Sequence, residues 1–149
     1  MRETKFRGKS DLSIEESEEA GVPHKNGWIV GNLIGEEKFP VIVGPIVDCS
    51  DEYFNTEWWA SVITESVGQY TGLKDKHNIA IYEGDILKNE EGKIGYVSFL
   101  VQEVGYVVVL EKQDYRLGHR NTAESYEIAQ GHEIVGNIYD NPELLEVEK

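Results

Sequence analysis

The sequence predicts an all-β chain, built as two small, interlocked barrel-like subdomains over residues 1–69 and 70–149, with at most short helices. The second subdomain reads as SH3-like. Three observations carry this reading. Runs such as WIVGNLIG (28–35), IGYVSFLV (94–101) and GYVVVLEK (105–112) are rich in β-branched and aromatic residues, which suit a pleated surface. Short polar stretches such as NEEGK (89–93) separate such runs, and Gly92 stands where a turn uses positive φ. Helical signals are confined to a few short segments. The runner-up architecture is one continuous barrel with a short helix near residues 51–58.

The elements follow in order. KFRG (5–8) reads as a first strand. SDLSIEESEEAGVPHKNG (10–27) is polar, acidic and broken by Gly and Pro, which makes it a surface loop with one helical turn at Ile14–Glu19. In WIVGNLIG, Trp28, Val30, Asn32 and Ile34 share one face, and Ile29, Gly31 and Leu33 the other. Both faces are mostly apolar, as in a strand buried on both sides. Glu36-Glu37 make a turn, and FPVIVGPIV (39–47) carries Pro40 and Pro45, which marks an edge or bulged strand.

SDEYFNTEWWASVITESVGQY (50–70) is ambiguous between a helix capped by Ser50 or Asp51 and a strand through TEWWASV. On a strand, the neighbours Trp58 and Trp59 point to opposite faces. One belongs in a core; the other covers a barrel end, a seam or a subunit interface. YTGLKDKHN (70–78) is a turn-rich connection, IAIYEGDILK (79–88) a strand, and DYRLGHRNTAESY (114–126) a polar loop. EIAQGHEIVGNIYD (127–140) closes the sheet, and NPELLEVEK is a short helix with Asn141 as N-cap and Pro142 as first residue. The tetrapeptide IVGN occurs at 29–32 and again at 134–137, a small echo well short of a repeat array.

Charge excludes some function classes. The 14 basic and 28 acidic residues give a net charge of −14, shared evenly by the two halves. Such a surface repels phosphates, so neither direct nucleic-acid binding nor membrane binding is expected. No apolar run approaches the length of a membrane span. The basic N-terminus lacks the apolar segment of a secretory signal. Cys49 is the one cysteine, so no intramolecular disulfide forms and a cytoplasmic setting is expected.

Catalytic chemistry finds little support. The sequence has no P-loop, dinucleotide fingerprint or Gly-x-Ser-x-Gly, and no cofactor is expected. The histidines, His24, His77, His119 and His132, include no i, i+4 pair. His119 and His132 flank one loop and, with Glu133, form the alternative site: a metal centre or a hydrolase-like arrangement. In YEGDIL (82–87), Asp85 reads as a barrel corner rather than a catalytic acid. Gly84 permits the bend and the carboxylate accepts backbone N–H groups across it. Glu83, the nearest second carboxylate, faces the other way on a strand.

VGQYTGLKDKHNIAIYEGDILK (67–88) followed by HEIVGNIYDNPELLE (132–146) resembles the YopX-like family of phage and prophage proteins. Gly68, Tyr70, Gly72, Asp75, Tyr82, Gly84 and Asp85 lie in the first motif, and Gly136, Asn137, Asn141 and Pro142 in the second. WIVGNL, with Gly31, is a weaker match, and KFRG resembles the family's basic opening. The likeness lapses at Gly8 and Lys9, in the acidic loop, and across residues 36–60. Where the family pattern has Asn-Gly, this chain has His77-Asn78, so Asn78 must carry the positive φ of that turn. The resemblance implies a mainly β fold, a phage or prophage origin and a structural role for the motif residues. It implies no activity.

The resulting expectation is a non-enzymatic phage accessory protein that works by protein–protein contact, as a homo-oligomer. Trp58 and Trp59 are its candidate interface residues. A variant has the acidic surface mimic nucleic acid and bind a host protein that grips phosphates.

Overall fold

The computed structural model describes residues 5–100, 105–109, 114–116 and 131–145. The chain is mainly β, as its sequence predicts. Contacts divide it into two units that meet in sequence between Gln69 and Tyr70.

In the N-terminal unit, β1 (Phe6–Lys9), β2 (Trp28–Glu36), β3 (Phe39–Val43) and β6 (Trp59–Ser61) form an antiparallel sheet in the order β6-β3-β2-β1. The first residues of β7 (Gly68–Lys74) pair with the other side of β1. The acidic segment contains α1 (Ile14–Glu19), closed by a capping box in which Ser13 and Glu16 satisfy each other's backbone N–H. One sheet face packs a core of Val22, Ile29, Ile42, Ala60 and Val62, flanked by Phe6, Leu33, Trp58 and Val67. Gly8 belongs to this packing, because a Cβ there would sit 2.8 Å from Val62 Cβ.

Two open readings resolve here. Residues 51–58 form no helix; β5 (Phe54–Thr56) pairs instead with β4 (Ile46–Cys49). β3 is not an edge, since it lies between β2 and β6, and the bulged alternative for 39–47 holds at Val47, the register shift between Ile46 and Asp48.

In the C-terminal unit, the rest of β7 pairs with β8 (Ala80–Tyr82). A second antiparallel sheet has the order β12-β11-β10-β9-β13. Its strands are β9 (Asp85–Lys88), β10 (Ile94–Leu100), β11 (Gly105–Val109), β12 (Asp114–Arg116) and β13 (Glu133–Asn137). Ile81, Leu87, Val97 and Val108 make the core, with Leu73, Tyr106 and Ile134 against it. IAIYEGDILK is thus two strands rather than one, broken at Gly84, whose φ of +94° ends β8. β12 occupies the start of the predicted polar loop. The C-terminal helix is a 3-10 turn, Pro142–Leu145. The sheets are open, and no closed barrel forms among the described residues. No helix among those residues is long and apolar enough to cross a membrane.

Candidate functional site

β2 is apolar on both faces, yet only one of them is buried. Ile29 is fully covered, while Val30 and Ile34 on the opposite face are 44% exposed. Strand register builds the rest of that outer face. Asn32 pairs with Val43 and Val43 with Trp59; Ile34 pairs with Val41 and Val41 with Ser61. Paired residues point to the same side. The result is an apolar row of Ile34, Val41, Val43 and Trp59, in which Val43 is buried and Ile34 and Trp59 are open to water, with Phe39 at its end, 74% exposed.

The two tryptophans divide across this sheet. Trp58 packs toward the core, and its indole lies so close to Gly44 that a Cβ there would stand 2.5 Å from it. Trp59 is 63% exposed. Beside it runs an open groove of about 430 Å³, lined by Ile34, Val41, Val43, Phe54, Asn55, Thr56 and Trp59.

Hydrogen bonds from Gly44 N to Trp58 O and from Glu57 N to Pro45 O continue the β3–β6 pairing outward into the β4–β5 ribbon. That ribbon pairs with no other strand among the described residues, and Ile46, Val47, Tyr53 and Phe54 on it are each more than half exposed. From Phe39 to Leu73 the sequence has no Lys, Arg or His, but it has Asp48, Asp51, Glu52, Glu57 and Glu65. The opposite margin of the outer face, on β1, is basic. Arg7 pairs in register with Val30 and Lys9 with Trp28. The Arg7 guanidinium lies 5.0 Å and Lys9 Nζ 5.4 Å from the Trp28 ring, within cation–π range.

The motif residues of the C-terminal unit sit in backbone knots. The Asp75 carboxylate, 1% exposed, accepts His77 N and Ile79 N at 2.9 Å through Oδ1 and Ile134 N at 3.1 Å through Oδ2. It ties the turn after β7 to β13. Asn78 in that turn has φ +64°. Asp85 accepts Tyr82 N at 2.7 Å, and Gly84 donates to Val97 O and accepts from Ile138 N. Tyr70 and Tyr82 are register partners, with ring centroids 5.6 Å apart. Asn137 Oδ1 accepts Tyr139 N and Asp140 N, and Asn141 Oδ1 accepts Asn137 N. Gly136 leaves room for Asn141, whose Oδ1 would lie 2.7 Å from a Cβ there. Gly72 is exposed in β7 with φ +86°, Pro142 opens the final 3-10 turn, and Gly31 and Gly68 lie in β2 and β7.

The alternative site is not assembled by the described residues. His132 is buried, and its carbonyl accepts Lys76 N at 2.8 Å. Glu133 makes a surface ion pair with Lys76 at 3.2 Å. His119 lies outside the described residues. Among those described, no group of three His, Cys, Asp or Glu side chains is placed to hold a metal ion.

Sequence reasoning singled out Trp58 and Trp59 but missed Ile34, Phe39, Phe54 and the ribbon. A signal for the ribbon was the base-free stretch 39–73, in which Ile46, Val47, Tyr53 and Phe54 are exposed while Ile42, Ala60 and Val62 are buried.

No curated protein matches the chain. The solved structures that match include protein EF1440 from Enterococcus faecalis, with 20% identity over 98% of this chain and 100% of that one, at a TM-score of 0.46. The YopX protein family matches residues 43–146, which takes in residues 43–60, where the motif-level likeness lapses. That span is well over half of the molecule, and the chain belongs to the YopX protein family.

Proposed function

We propose that this chain is a non-enzymatic phage or prophage accessory protein that works by protein–protein contact, with a second copy of itself as partner. The observation that carries this reading is the outer face of the N-terminal sheet. Its apolar row through Val41 and Val43 ends in Trp59, which water covers over most of its surface. A contiguous apolar patch rimmed by charge is the usual mark of an interaction surface.

The face also supports the choice of partner. Arg7 and Lys9 mark one margin, and Glu57 lies beside the other, next to β6. A two-fold axis through an isologous contact sets each margin against its opposite in the second copy. A mainly β, strongly acidic chain of this kind acts by contact in the cytoplasm of the bacterial host.

Sedimentation equilibrium tests this directly. The wild type is expected to self-associate, and Trp59→Ser to weaken that association at least tenfold with no loss of secondary structure. A wild type that stays monomeric at high micromolar concentration overturns it. A second reading, an acidic mimic bound by a basic host protein, is favoured by the base-free stretch 39–73. It predicts a monomer in isolation and a partner whose grip weakens with salt.

A further inference from the structure

The β4–β5 ribbon is hard to account for within one copy. A lone two-stranded ribbon is marginal in water, because neither of its faces nor its edges is covered. Here Ile46, Val47, Tyr53 and Phe54 are all more than half exposed. The hairpin register is regular from Val41 to Ile46 and is bulged at Val47, and the ribbon's Phe54, Asn55 and Thr56 form one wall of the Trp59 groove.

We propose that residues 46–56 form an arm that each copy lays across the Trp59 groove of another copy, against the Phe54–Thr56 wall that the receiving copy's own ribbon gives that groove. This rests on the self-association argued above and adds the element that makes it. Charge complementarity favours a second copy as occupant. The ribbon and its tip carry Asp48, Asp51 and Glu52 and no base, while the far margin of the receiving face carries Arg7 and Lys9 stacked at Trp28. The apolar side chains of the shaft fill the groove, and the acidic tip lies toward the basic margin.

Cys49 supplies the test, because it is the one cysteine of the chain and lies exposed in β4. A bimane dye on Cys49 of a Trp59→Phe chain is mixed with unlabelled Cys49→Ser chain that retains Trp59. Tryptophan quenches bimane on contact, so fluorescence is expected to fall on mixing. The fall should vanish when the unlabelled chain also carries Trp59→Phe. In parallel, Ile46→Ser with Val47→Ser should weaken self-association at least about a hundredfold, since two apolar side chains per arm lose their cover. These side chains are exposed, so circular dichroism and melting temperature should stay as in the wild type.

Oligomers that persist in the ribbon variant, with no quenching dependent on Trp59, overturn the arm and leave self-association through another contact. A wild type that is monomeric throughout overturns the arm and the self-association together, and assigns the ribbon to a different partner.

Discussion

Asp75 shows how much one side chain holds in the C-terminal unit. Its carboxylate is the acceptor for three backbone N–H groups from two places far apart in the chain. Asp75→Ala leaves those three donors without it. Each charge-assisted bond contributes about 1.5–3 kcal/mol, so the variant should lose at least about 3 kcal/mol in urea denaturation. Asn78, three residues on, tests the turn itself. At φ +64°, Asn78→Gly should change stability by less than about 1 kcal/mol, whereas Asn78→Val should cost more than that, because a branched Cβ is strained there. This much was legible in the sequence: His77-Asn78 in place of Asn-Gly named the residue that takes positive φ. The Asp75 knot was not legible as a bond network, because its third donor, Ile134 N, arrives from 59 positions away.

At the scale of the element, alternation reveals two faces of a strand but not which of them is covered. WIVGNLIG is apolar on both, so its residues alone describe a strand buried on both sides. The chain buries Ile29 and leaves Val30 and Ile34 half in water, and nothing within β2 encodes that choice. It is decided by where Val22 and α1's flanking loop come to rest, which is a long-range property. The tryptophan pair is the clearer case, since adjacent positions on a strand must part. Their consequences should part as well. Trp58→Ala removes a side chain packed on the core and should cost about 3–5 kcal/mol. Trp59→Ser removes one that water already covers and should change monomer stability by less than about 0.5 kcal/mol. Thermal unfolding at low protein concentration, where any oligomer is dissociated, separates the two. Equal losses would mean that Trp59 is a packing residue and the outer face is closed.

At the scale of the whole molecule, the net charge of −14 and the apolar outer face pull in opposite directions. Two copies repel at long range, while the contact proposed between them is apolar with a few close charge pairs. Salt separates these effects, because the Debye length falls from about 30 Å at 0.01 M to about 8 Å at 0.15 M. Long-range repulsion is then largely screened, but pairs brought together at a partly buried contact are screened much less. Self-association should therefore tighten, by several-fold, between those two salt concentrations in sedimentation equilibrium. A basic partner gripping the acidic surface behaves in the opposite sense, since its long-range term is attraction and salt removes it. The sign of the salt dependence thus decides what the charge is for. Tightening makes the carboxylates a solvating shell around an apolar contact, and weakening makes them the contact itself.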